Sequence, residues 1–258
     1  MDKVISNDGT PIAFDRLGSG PVVIMIGGGP TDRSAGYPLA ELLAERFTVF
    51  NYDRRGRGDS GDTAPYAVDR EFEDIEALIE EAGGSALVYG TSGGGIIALE
   101  AAARGLAITR LAVWETPFIV DDTRPALPAD YRLRLIDLLE QDRRGDMIEL
   151  FFTSAVGLPA DFVTPMRGTP FWPSMEAVAH TLVYDATITG DFTLPADRLA
   201  AVTVPTLVVD GGTERWLTNA ADAVAAAVPG SRRHTLAGQP HNVDPAAIAP
   251  ALAEFFAA

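Results

Sequence analysis

Apolar positions along the chain change period repeatedly, and the changes mark out its elements. "VVIMI" at Val22–Ile26 is apolar without alternation, as a strand covered on both faces would be. Downstream, Leu39, Leu42, Leu43 and Phe47 recur at helical spacing in "YPLAELLAERF". "FTVFNYD" returns to a strand pattern, Phe72, Ile75, Leu78 and Ile79 predict an amphipathic helix, and Ala86–Tyr89 is again a buried strand. Ser92–Arg104 predicts an alanine-rich helix that opens on glycines, and Ile108–Trp114 a further strand. At the start of the chain, Lys3–Ser6 and Ile12–Leu17 flank the turn signal "NDGT" and predict a hairpin. Strand and helix alternating in this way place the chain in the α/β class, with a doubly wound, mostly parallel sheet and right-handed crossovers.

The alternation stops after "ETPF". From about Pro117 to Pro195 the sequence carries many prolines, helical stretches such as "YRLRLIDLLEQD", and the aromatics Phe151, Phe152, Phe171, Trp172 and Tyr184. It resumes at "VPTLVVDGG" and runs through "ADAVAAAVPG" and "RRHTL" to "AAIAPALAEFFAA". The economical reading is an α/β core, residues 1–116 and 197–258, interrupted after its sixth strand by a helical insertion, residues 117–196. No internal repeat or low-complexity tract is present.

A length of 258 residues suits one large α/β domain, and 47 % hydrophobic with 22 % charged residues is ordinary for a globular enzyme. Net charge is −16, from 36 acidic and 20 basic residues. Nucleic acid and anionic membrane surfaces are disfavoured as partners, since both would be repelled; a small-molecule substrate is the expected one. The absence of cysteine excludes disulfides, thiolate catalysis and Cys-ligated zinc. No His/Asp/Glu set has metal-ligand spacing, and neither a dinucleotide fingerprint nor a P-loop occurs, so no metal or cofactor is implied. "MDKVISNDGT" lacks the basic and apolar regions of a signal peptide, and no apolar run reaches membrane-spanning length. A cytoplasmic location is the expectation, and nothing in the pattern sets an oligomeric state.

The chemistry concentrates at glycine-rich breaks. Gly90-Thr91-Ser92-Gly93-Gly94 fits the G-x-S-x-G nucleophile elbow and lies where a predicted strand turns into a predicted helix. Such a turn strains the serine backbone, lifts its hydroxyl clear of the sheet, and needs small residues two positions away on either side. The plainer alternative is a serine N-cap in a glycine-rich turn. A second cluster, "IGGGP", follows the strand Val22–Ile26. An acyl-transfer site needs two N–H donors for the oxyanion: Gly93 is the expected first, and Gly28 the second, with Gly29 next.

A serine hydroxyl needs a base. Of His180, His234 and His241, the last follows the final strand in "LAGQPHNV", in the order serine before histidine, and is the expected base. With "IGGGP", "YDRRGRGDSG", "GTSGG", a late "GQPH" and a helical insertion in hand, the chain resembles the α/β-hydrolase fold superfamily over nearly its whole length, as a capped, esterase- or lactonase-like member. Many relatives carry histidine where this chain has Ile26 and Thr91. In many members the triad acid follows the penultimate strand, which here offers Glu214 in "VVDGGTERW". In a minority it follows the preceding strand, where "LAVWETPF" offers Glu115, similar to the Glu-x-Pro turn of zearalenone-type lactonases. Glu115 is preferred and Glu214 is the alternative. Asp53, in "YDRRGRGDSG", is expected to hold its own loop rather than to react.

Gly29, Trp114, Phe118, Trp172 and Tyr184 are the expected substrate contacts. The resemblance implies a serine hydrolase acting on a small to medium, mostly apolar carboxylic ester or lactone. The same triad also serves carbon–carbon bond hydrolysis or cofactor-free perhydrolysis, and a non-catalytic ligand-binding or biosynthetic accessory role is a further alternative. A haloalkane dehalogenase is disfavoured, because it needs a carboxylate where Ser92 stands.

Overall fold

The computed structural model describes residues 1–258. Eight strands form one sheet: β1 (Asp2–Ile5), β2 (Pro11–Gly18), β3 (Val22–Ile26), β4 (Thr48–Tyr52), β5 (Ala86–Thr91), β6 (Ile108–Trp114), β7 (Thr206–Gly212) and β8 (Arg232–Gln239). Their spatial order is β1-β2-β4-β3-β5-β6-β7-β8. β2 runs antiparallel to β1 and β4, and every pair from β4 to β8 is parallel. The doubly wound, mostly parallel sheet expected from the pattern is therefore present, with a hairpin at one edge. β3 and β6 coincide with the predicted strands Val22–Ile26 and Ile108–Trp114. The apolar run of β3 and the Leu111–Trp114 half of β6 mark segments covered on both faces, whereas Thr109 at the start of β6 is exposed.

Alternation along each strand sends successive side chains to opposite faces. Ile24, Ile26, Val88, Leu111, Val113 and Val208 face one core, while Val23, Met25, Leu87, Tyr89, Ala112 and Trp114 face the other. Helix α1 (Tyr37–Leu43) packs in the second core. Helices α2 (Val68–Glu81) and α3 (Gly93–Ala103) pack in the first. The predicted helix through Phe47 ends earlier, at Leu43. Phe47 sits on the turn into β4, where its ring meets Phe256 edge-on at 6.1 Å.

Between β6 and β7 the chain forms a helical cap: α4 (Tyr131–Glu140), α5 (Arg144–Leu150), α6 (Ala160–Val163), α7 (Trp172–Ala177), α8 (Leu182–Thr189) and α9 (Ala196–Leu199). A π-helical turn, Phe151–Val156, continues α5 and stops at Gly157, whose φ of 86° is left-handed. Helices α10 (Arg215–Ala227) and α11 (Pro245–Ala257) complete the layers on opposite faces of the sheet. No helix is long and apolar enough to cross a membrane.

The cap is seated on the loop after β4. Arg54 pairs bidentately with Glu71 at 3.0 and 2.7 Å, and both Arg54 and Arg57 reach Asp185 of α8, at 2.8 Å from Arg54 and 2.9 and 2.8 Å from Arg57. Tyr184 stacks on Tyr66 with centroids 3.9 Å apart, and its hydroxyl donates to Asp62. Asp53 behaves as expected. Its buried carboxylate accepts from the backbone N–H of Arg33 at 2.7 Å and of Asp59 at 2.8 Å, which fixes the loop.

Candidate active site

Ser92 is the first residue after β5. Its backbone, at φ 54° and ψ −125°, lies outside the regions an L-residue ordinarily occupies. The elbow closes because its flanks are small: a methyl group on Gly94 would stand 2.2 Å from Ile26 O, and one on Gly90 2.7 Å from Gly95 Cα. Ser92 occupies the N-cap position of α3, yet its side chain makes no capping hydrogen bond. The N-cap alternative is thereby removed, and the hydroxyl is left on the wall of a cavity of about 770 Å³ that His241 also lines.

Glu115 follows β6. It too has a left-handed backbone, φ 41°, so two of the four non-glycine residues with positive φ are the elbow serine and this glutamate. Residues held in such conformations cluster at functional sites. The bend leads the chain from β6 into the cap, and Glu115 is left 1 % exposed. One oxygen, Oε2, lies 2.8 Å from His241 Nδ1; the other, Oε1, accepts from Gly211 N–H at 2.9 Å. Gly211 is free to donate because the β7–β8 register slips between Asp210 and Gly212, a bulge that re-aims one ladder N–H.

Glu214, the alternative acid, is exposed at the N-cap position of α10 and borders the cavity without touching His241. Of the two acids, the structure joins Glu115 to the histidine. Asp210 is committed elsewhere. Burial pushes its carboxyl up, but Arg233, Thr218 and Thr235 outweigh that and hold it below the usual range. His180 faces Asp62 and Arg144, and His234 is exposed on the edge strand β8.

The first glycine cluster lies against the elbow. A methyl group on Gly28 would stand 2.8 Å from Ser92 Cβ and 3.0 Å from Gly93 N, so the two glycine backbones meet beside the serine. The loop's carbonyls are tied away from this point. Thr31 Oγ1 donates to Gly28 O at 2.8 Å, and Arg57 Nη1 donates to Gly29 O and, at 3.2 Å, to Thr31 O. Arg57 is buried; desolvation and the neighbouring Arg54 hold its pKa below that of a free arginine.

The expected substrate contacts divide. Gly29 lines the cavity. Trp114 does not: as the last residue of β6 it points to the α1/α11 face, fully buried, and its Nε1–H donates to His241 O at 2.8 Å. It steadies the histidine loop from beneath. Phe118 is buried in the core on the cap side, and Trp172 is buried inside the cap, where its Nε1–H donates to Glu176 at 2.8 Å. Tyr184 faces Asp62 and Tyr66. None of these four reaches the cavity. Phe151 of the π-turn, Tyr131, Phe192 and Trp216 supply its large apolar surfaces instead.

Three polar residues on or beside the cavity escape a reading of the sequence alone: Arg57, and Asp185 and Arg124 of its lining. The one available signal was a cluster of arginines in "DRRGRGD" within an acidic chain. The partner of Arg57 lies 128 residues away, and no local pattern announces it.

Comparison with known proteins agrees with this architecture. The model of a family described as the alpha/beta hydrolase family matches residues 23–251. A solved alpha/beta hydrolase from Sphaerobacter thermophilus DSM 20745 is 55 % identical and superposes with a TM-score of 0.95, covering 99 % of this chain and 100 % of that one. A 2-(acetamidomethylene)succinate hydrolase from Mesorhizobium japonicum is 28 % identical over 79 % of this chain and 75 % of its own length. The uncharacterized hydrolase YraK of Bacillus subtilis is 32 % identical over a shorter segment, 36 % of this chain and 35 % of that protein.

Proposed function

Because the chain belongs to the alpha/beta hydrolase family, we propose that it is a serine hydrolase that cleaves a carboxylic ester or lactone through an acyl-enzyme on Ser92. One observation carries this reading. An uncapped serine hydroxyl on a strained elbow shares a cavity with a histidine whose far nitrogen is bonded to a buried glutamate.

In this reading the Glu115–Nδ1 hydrogen bond keeps the proton on Nδ1 and leaves Nε2 as the base. Nε2 takes the Ser92 proton as Oγ attacks the carbonyl carbon. The tetrahedral oxyanion is held by the N–H groups of Gly28 and Gly93, assisted by the N-terminus of α3. His241 returns the proton to the leaving alkoxide. Water, deprotonated by the same nitrogen, then attacks the acyl carbon and frees Ser92. Glu115 stabilises the imidazolium formed in both halves. The size of the cavity and its Phe151, Phe192 and Trp216 surfaces favour a small to medium substrate with an apolar body. The name of the Mesorhizobium relative supports hydrolytic chemistry on this architecture.

The test is labelling by a fluorophosphonate together with burst kinetics on p-nitrophenyl butyrate. Wild type is expected to label once and to release a stoichiometric burst, and Ser92→Ala to do neither. Labelling that persists in Ser92→Ala, or its absence from folded wild type, overturns the proposal.

A further inference from the structure

The hydrolytic roles leave the one cation of the cavity wall unused. Arg124, on the strap between β6 and α4, is the only lysine or arginine there. Its Nη1 donates to Ala155 O at 2.9 Å and its Nη2 to Ser154 O at 3.1 Å, both on the π-turn; Nε lies 3.4 Å from Pro125 O. A guanidinium carries five N–H groups, so each terminal nitrogen keeps one N–H unused. The face of the group lies on Trp216, 4.5 Å from the ring centroid. Held by carbonyls at its edge and an indole on its face, the guanidinium is fixed before any ligand arrives.

It has no acid. Burial lowers its pKa and no carboxylate offsets the effect. In a chain with 36 acidic and 20 basic residues, a half-buried arginine without an anionic partner is out of pattern. The other cavity-facing charges do not supply one. Asp185 is occupied by Arg54 and Arg57, and Glu214 stays exposed at the rim.

We propose that Arg124 receives a carboxylate on the acyl part of the substrate, so that the site takes esters whose acyl chain ends in a free carboxylate. A terminal N–H left free by the Ser154 and Ala155 carbonyls donates to one oxygen of that anion, and the guanidinium charge, which has no carboxylate of its own, supplies the rest of the attraction. The acyl part is the portion that stays in the cavity through both acylation and deacylation, and an anchor beneath the cap holds it through both. The inference rests on the hydrolase reading of Ser92 and narrows it.

The test compares p-nitrophenyl hydrogen adipate with p-nitrophenyl methyl adipate, equal in reach and different in charge, at 0.15 M salt. Wild type is expected to favour the anionic ester. In Arg124→Gln the ratio of the two kcat/KM values is expected to fall about 10- to 100-fold, and Arg124→Lys to recover part of it. The ratio is the readout because a merely structural loss depresses both esters alike and leaves it unchanged. That outcome, or a wild type without preference for the anion, overturns the proposal. A second arm needs no turnover: calorimetric binding of adipate to Ser92→Ala, expected to vanish in the Ser92→Ala/Arg124→Gln double variant. If neither ester is hydrolysed and no fluorophosphonate label appears, the hydrolase reading falls. The calorimetric arm then decides Arg124 by itself, with binding that depends on Arg124 supporting the anchor and binding indifferent to it, or absent, overturning it.

Discussion

Replacing Glu115 with Gln changes one oxygen for one NH2, and the surroundings dictate which way the amide must face. Gly211 N–H is buried and has Glu115 Oε1 as its acceptor at 2.9 Å; turning the NH2 toward it sets donor against donor, at a cost of about 1–3 kcal/mol. The amide oxygen therefore stays on Gly211, and the NH2 faces His241 Nδ1, 2.8 Å away in the parent. An NH2 there demands a bare Nδ1, which moves the imidazole proton to Nε2, the nitrogen that has to accept from Ser92. The equivalent change of tautomer in other triads costs about 10⁴-fold in kcat, about 5 kcal/mol of transition-state stabilisation. The assay is burst and steady-state turnover of p-nitrophenyl butyrate, with circular dichroism melting to establish that the variant is folded. Glu214→Gln, altering an exposed side chain that does not touch the histidine, is expected to change kcat less than about threefold. Glu115→Gln retaining more than about a tenth of wild-type kcat, or Glu214→Gln losing as much as Glu115→Gln, would falsify the tautomer argument.

Other outcomes follow from the same coordinates. Gly28→Ala drives a methyl group to 2.8 Å from Ser92 Cβ and 2.7 Å from Thr91 O, and is expected to lower kcat about 10²-fold or more through the oxyanion donors; an unchanged kcat would remove Gly28 from that role. Trp114→Phe deletes the bond to His241 O and is expected to lower kcat with KM little changed; a raised KM at constant kcat would restore Trp114 as a substrate contact. Arg233→Met strands the buried Asp210. Asp210 has a folded pKa below its unfolded value, so its contribution to stability is full above about pH 4 and fades as pH falls through the folded value. The variant is expected to lose about 2–3 kcal/mol by urea unfolding at pH 7, and progressively less as pH falls below about 4 toward the lowered folded value; a loss that stays constant over that range would refute the pairing.

Much of the core was legible because a strand segment buried on both faces needs an unbroken apolar run, and Val22–Ile26 and the Leu111–Trp114 half of β6 have one. The positions of Ser92 and His241 were legible because a strained elbow demands glycines and because "GQPH" follows the last strand pattern. The role of Trp114 was not. Which parity of β6 faces the cap is settled by the topology around it, and the tryptophan takes the opposite face from the cavity. The choice between Glu115 and Glu214 turned on the bulge at Gly211, which frees an N–H for one of them and which sequence spacing does not encode. Arg57 and Asp185 stayed invisible for the same reason as any pairing between the core and an insertion: neither residue's neighbours in sequence report the other.

The position of Glu115 has a consequence for how such a protein changes over time. With the acid of the proposed triad at the end of β6, β7 supplies the Glu115–His241 pair only with a backbone N–H, from Gly211, and the segment after β7 is relieved of proton chemistry. Thr213, Glu214, Trp216 and Leu217 border the cavity all the same. Variation there can reshape what the cavity admits while the hydrogen bond that sets the histidine stays intact. A library aimed at new specificity belongs in that segment, and one that reached Glu115 or Gly211 would be spent on inactive proteins.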